Sequence, residues 1–283
     1  MALPRVDDPW IVNKVLPVGG VSVLFGNPKC GKSFAAIQLA CAVAGTSTEW
    51  LGIGVHHHGP VLYLQIDMSR QDWLNRYVDP GVASGHDVSN IWFEDKKTLP
   101  YPFNLLNGGH EYLKKGIESM IVSPVLVIID TLRDMHSGDE NDSSVMRNVI
   151  TTVRAAIGDA ALLLVHHARK LLADTPADII QDLRGSSGLS GSMDGFLRLY
   201  SIENSKEGLL TYKSRAADQT TINLKRLPNG YWRTELSAEI EAIQDVVRNF
   251  PNATQQQQNI LIGQRLGLSE STARRRREEL GLL

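Results

Sequence analysis

Gly26, Asn27, Pro28, Lys29, Cys30, Gly31, Lys32 and Ser33 form the stretch whose residue types and spacing can do chemistry. Glycines at its first and sixth positions let successive backbone N–H groups curl round an anion, and a helix starting at its end adds a positive dipole terminus. The lysine before the final hydroxyl can reach the β- and γ-phosphates of a nucleoside triphosphate, and the hydroxyl can ligate Mg²⁺. All eight residues are therefore expected to hold the phosphates of ATP, with Mg²⁺ at Ser33. The ion needs a carboxylate as well. The apolar run over residues 125–129 ends in Asp130, and an acid at the end of a buried strand supplies one.

These residues need elements to position them. Short β-branched runs alternate with helical stretches, the pattern of a mostly parallel sheet covered on both faces. Strands are expected over residues 21–25, 61–66, 91–94, 125–129 and 161–165. Helices are expected over about residues 33–44 and 70–78, and over 111–121 with Tyr112, Ile117 and Ile121 as its apolar stripe. Asn141 is the expected cap of a further helix, in which Val145, Val149, Val153 and Ile157 recur every fourth residue. Beyond residue 195 come closely spaced strands at 195–202, 208–212, 221–227 and 231–233, with a turn at Pro228, Asn229 and Gly230. They read as antiparallel strands added to one edge of the sheet.

From about residue 237 three helical segments follow, the first lined by Ile240, Ile243, Val247 and Phe250. The expected division is residues 1–237 as an α/β motor domain and 238–283 as a small all-helical module. In that module Gly267, Leu268 and Ser269 form a turn, with Ser269 as the cap of an arginine-rich helix. The pattern resembles the C-terminal helix-turn-helix of DNA-associated ATPases, truncated where a wing would begin. The resemblance implies contact with duplex DNA through Ser271, Thr272, Arg274 and Arg275. Residues 238–283 carry balanced charge, so packing or partner recruitment is the competing role.

The 283-residue chain has a net charge of −2 and 42% hydrophobic residues. That balance excludes a protein that coats nucleic acid by overall basicity and leaves local patches or a ring channel. No apolar run reaches the ~20 residues of a membrane span, and no signal-peptide layout opens the chain. Two cysteines, both in the loop–helix region, are no disulfide framework, so a reducing cytoplasm is the expected setting.

Four further stretches carry a family resemblance: residues 61–67 ending in Asp67, 129–141 beginning at the Asp130 strand end, 164–170 with His166 and His167, and 184–187. With the phosphate loop they resemble the RecA-like P-loop ATPases (AAA_25-like) typified by plasmid and phage hexameric replicative helicases of the RepA type, over roughly residues 10–235. The resemblance implies that Asp67 orients the attacking water. The family more often has glutamate here. The lost methylene shortens the reach by about 1.5 Å, and a ~1 Å misplacement can cost ~100-fold in rate. Slower turnover, or a conformational switch in place of a hydrolase, is the alternative this opens. His166 or His167 would sense the γ-phosphate; adjacent side chains diverge on a strand, so the pair is a poor zinc site.

Lys213 and Arg215 resemble the Lys-x-Arg element that ring-forming motors project into a neighbour's nucleotide, where a trans arginine can contribute 10³–10⁵ in rate. The expected active unit is then a homo-oligomer, a hexameric ring. Its pore would be lined by residues 134–144 and 168–191, with Arg169, Lys170 and Arg184 as cations for single-stranded DNA. With no primase or loading domain in view, a partner would load or prime it. A replicative helicase is the first expectation, a recombination or annealing ATPase on single strands the second, and an ATP-gated DNA-binding regulator or adaptor the third.

Overall fold

The computed structural model describes residues 9–83, 85–100, 102–168, 178–183, 187–202 and 205–279. Chain contacts divide it into two compact units, Met1–Trp232 and Arg233–Leu283.

The first unit is built on a sheet of nine strands among the described residues. Their order is Trp232–Thr234, Ala217–Arg226, Glu207–Ser214, Gly195–Tyr200, Val21–Gly26, Ala161–His167, Leu126–Asp130, Val61–Gln65 and Ile91–Glu94. The last six of these run parallel, and Glu207–Ser214 and Ala217–Arg226 add antiparallel pairs at the other edge. The central strands are buried residue after residue because both faces are covered. Alternate residues feed separate cores. Leu24, Ile128 and Leu163 face the helix Lys32–Ala44, whereas Val23, Phe25, Ile129 and Leu164 face the helices His110–Glu118 and Ser143–Ile157.

Lys32–Ala44 is rich in alanine and buried on nearly every side, which a helix flush against a sheet and its flanking strands requires. Gln38 fastens it to the far sheet edge: its amide donates to the Trp232 carbonyl at 2.7 Å and accepts from the Trp232 N–H at 2.9 Å.

Several elements differ from expectation. Asp142, not Asn141, caps Ser143–Ile157, its carboxylate accepting from the N–H groups of Ser144 and Val145. The helix His110–Glu118 buries Leu113 and Ile117, while Tyr112 is half exposed and Ile121 lies fully exposed beyond the helix end. The segment starting at Arg70 does not stop at Val78. It passes through a π-helical turn, Leu74–Val78, into Asp79–Ala83.

The second unit holds the helices Glu235–Asn249, Gln255–Leu266 and Glu270–Glu279 around Ile243, Val246, Ile262 and Ala273. Val246 takes the core place expected of Val247, and Phe250 is exposed. Thr254 caps the second helix in a reciprocal box with Gln257.

Candidate nucleotide-binding site

Four parallel strands end side by side at one edge. In register, Gly26 lies opposite His167, Asp130 opposite Val165, and Gln65 opposite Asp130. The carboxyl edge of such a sheet is where ligands bind in open α/β folds. Here a cleft of about 390 Å³ opens, lined by Pro28, Lys29, Gly31, Lys32, Ser33, Asp67, Asp130, Thr131, Asp134 and His167 among others.

The loop's glycines answer to local geometry. Gly31 has φ +92°, a left-handed backbone, and a β-carbon there would come within 2.7 Å of the Trp232 indole nitrogen. A β-carbon at Gly26 would collide with the Leu199 carbonyl oxygen on the neighbouring strand. Lys32 curls back on the loop, its ammonium donating to the carbonyls of Gly26 at 3.1 Å and Asn27 at 2.9 Å. Cys30 is buried, and burial pushes its thiol up despite nearby Lys32, so it remains protonated and fills space beneath the loop.

Asp130 is buried at the strand end. Burial pushes its carboxyl up, opposed by hydrogen bonds from Tyr63 and Ser33 and by the charge of Lys32. The Tyr63 hydroxyl donates to Asp130 Oδ2 at 2.7 Å, and its ring is fixed by Trp73 and Phe93 at 5.2 and 5.9 Å. Ser33 and Asp130 are thus two hard oxygen donors in contact. Among the described residues no group of three or more His, Cys, Asp or Glu could hold a metal. A cation here would be completed by phosphate oxygens and water, which suits Mg²⁺.

Asp67 follows the strand Val61–Gln65 on a turn pinned by Gln65, whose amide donates to the Met68 carbonyl and accepts from the Met68 N–H, each at 3.2 Å. It stands exposed on the cleft wall. Strand alternation separates the two histidines. His167 lines the cleft, whereas His166 is wholly buried with Nδ1 4.0 Å from Glu140.

Lys213 and Arg215 are not brought to this cleft. The strand Glu207–Ser214 ends before Arg215, which sits in the tight turn to Ala217, so the two do not share a strand face. Lys213 pairs with Asp178 at 3.0 Å, and Arg215, 72% exposed, approaches Asp194 at 3.8 Å. Arg169, Lys170 and Arg184 lie outside the described residues.

In the second unit the arginine run is largely committed within the module. Arg277 is buried against Asn259 and Gln258 at 2.8 and 3.2 Å, Arg274 pairs with Glu278 at 2.8 Å, and Arg276 with Glu239 at 3.5 Å. The Ser269 hydroxyl caps the last helix by accepting from the Thr272 N–H, and it also meets the Ser271 and Thr272 hydroxyls.

Sequence reasoning missed Tyr63, Arg76, Tyr77 and Arg226, all at or beside the cleft. Tyr63 had a signal, being the polar member of a buried strand ending near an acid. Arg226 had none, because only the fold brings a late strand over the phosphate loop.

A family model described as an AAA domain matches residues 4–173. The fold is similar to that of one solved ATPase domain, at a TM-score of 0.56 and 15% identity, over 76% of this chain and 84% of that one. It is also similar to a DnaB-like replicative helicase whose structure was described with its interactions with primase, at a TM-score of 0.57 and 14% identity. That match covers 76% of this chain and 57% of the helicase, so the chain spans little more than half of that protein. The likeness is one of fold, and the fold is that of RecA-like P-loop proteins.

Proposed function

The chain belongs to the AAA_25 family of AAA domains, and from that premise we propose that its cleft binds and hydrolyses ATP with Mg²⁺ to move the protein along single-stranded DNA. The observation that carries the reading is the convergence of Lys32, Ser33, Asp130, Asp67 and His167 on one cleft at the carboxyl edge of the sheet.

In this reading the loop N–H groups from Lys29 to Ser33 cradle the phosphates, and Lys32 leaves its resting carbonyls for the β- and γ-phosphate oxygens. Ser33 and Asp130 would hold Mg²⁺, which when bound neutralises charge on the β- and γ-phosphates. Tyr63 keeps one Asp130 oxygen occupied and so orients the other. Asp67 accepts a hydrogen bond from the attacking water and aligns it with the γ-phosphorus. His167, beside the loop, reports the γ-phosphate.

The active unit is a homo-oligomer, a hexameric ring, in which Arg215 from a hairpin turn reaches the adjoining subunit's nucleotide and Lys213 exchanges Asp178 for it. Arg169, Lys170 and Arg184 meet the single strand. The helical module is a helix-turn-helix whose Ser271, Thr272, Arg274 and Arg275 contact duplex DNA, with Arg274 giving up Glu278 to do so. Replication of a plasmid or phage genome is the process this activity serves.

The test is ATP turnover with and without single-stranded DNA, together with unwinding of a forked duplex. Stimulation with unwinding is the expected result. Stimulation without unwinding assigns the chain to strand annealing or recombination. No response to single strands contradicts both and leaves an ATP-gated regulator acting on duplex DNA.

A further inference from the structure

Arg226 ends the long strand Ala217–Arg226, far from the phosphate loop in sequence, yet its side chain lines the same cleft as Lys29, Lys32 and Phe34. It is not a loose surface cation. Its guanidinium carbon stands 5.1 Å from the centre of the Phe34 ring and 5.5 Å from that of Trp232. Its Nε donates to the Gly230 carbonyl at 3.3 Å, across the turn that follows. Both rings are themselves fixed. Trp232 is clamped by Gln38 and donates from its indole N–H to the Gly31 carbonyl at 3.3 Å, and Phe34 packs edge-on to Tyr77 at 4.5 Å. A guanidinium held by two rings and one carbonyl keeps its terminal N–H groups for another acceptor and loses little freedom in binding it.

The position says which acceptor. Asp67, Asp130 and His167 mark the γ-phosphate end of the cleft, and Lys32 serves the β- and γ-phosphates. Phe34 follows Ser33 on the helix, so a guanidinium over its ring lies beside the loop one residue past the hydroxyl expected to meet the metal. We propose that Arg226 binds the phosphate attached to the ribose, making it a nucleotide-binding residue supplied by the antiparallel edge of the sheet. This rests on the reading of the cleft as an ATP site. Arg226 also ties that edge to nucleotide occupancy, because its strand pairs with the one that carries Lys213.

The test compares the wild-type chain with Arg226→Met, which keeps the aliphatic packing, and Arg226→Lys, which keeps the charge but loses the planar fork. Dissociation constants are measured for Mg²⁺–ATP and for Mg²⁺–tripolyphosphate, with circular dichroism to verify folding. A charged hydrogen bond lost from the ribose-proximal phosphate weakens both ligands about 10-fold in the folded Met variant, with the Lys variant between. Unchanged affinities in a folded Met variant would show that Arg226 only staples the rings and would overturn the assignment. Weaker ATP binding with tripolyphosphate unaffected would move the contact to the nucleoside and also overturn it. A Lys32→Ala chain that binds both ligands like wild type would instead refute the cleft as the nucleotide site, a result separable from either Arg226 outcome.

Discussion

Asp67 shows how a single residue's reach is set by its support. Its carboxylate is short and stands on a turn that Gln65 holds by two hydrogen bonds to Met68. A fixed turn sets the point from which the carboxylate reaches into the cleft. Asp67→Asn is expected to lower the maximal turnover rate by about 100-fold or more, the usual loss when a positioned general base is removed. ATP affinity should stay within about twofold. Turnover equal to wild type would place the base elsewhere. At this scale the sequence was readable wherever chemistry and spacing coincide, as in the phosphate loop and the strand end at Asp130. It was silent on partners that only folding brings close. Strand alternation puts His167 on the cleft and His166 in the core, yet choosing the face needs the neighbouring strands. Arg226, over Phe34, carries no local motif at all, and Tyr63 is marked only by being polar on a buried strand that ends near an acid.

Among the elements, the antiparallel edge is held by charges as well as by its ladder. Arg198, on the strand beside the phosphate loop, is wholly buried, and its Nε lies 2.9 Å from Asp182. Asp178 pairs with Lys213, and the Ile179 N–H donates to Gln219 at 3.0 Å. Residues 178–183 are thereby tied to three adjoining strands. Removing one partner of a buried pair leaves the other charge stranded. Asp182→Ala is therefore expected to cost about 3 kcal/mol, a fall in Tm of roughly 6–12 °C for a unit of this size. The double variant Arg198→Met/Asp182→Leu should recover most of it. A single variant as stable as wild type would show that Arg198 relies on its other contacts. The central strands were legible because apolar β-branched runs flanked by helices leave few alternatives. Element ends were less so. Asn141 and Asp142 are adjacent and both can cap, and Pro80 signals a stop that the helical segment runs past.

For the molecule as a whole, a net charge of −2 leaves no general field for nucleic acid. Any grip on DNA must come from a few local cations. The last helix looks basic in sequence, yet Arg274, Arg276 and Arg277 have acidic or amide partners inside their own unit, so its outward charge is smaller than four arginines suggest. The phosphate cleft, by contrast, lies wholly within the first unit. The most direct measurement is steady-state release of inorganic phosphate from Mg²⁺–ATP by the wild-type chain and by Lys32→Ala. Hydrolysis by the wild type is expected, with a loss of about 100-fold or more when the lysine is removed. Equal rates in the two chains, or no hydrolysis by a wild type that binds the nucleotide, would contradict it.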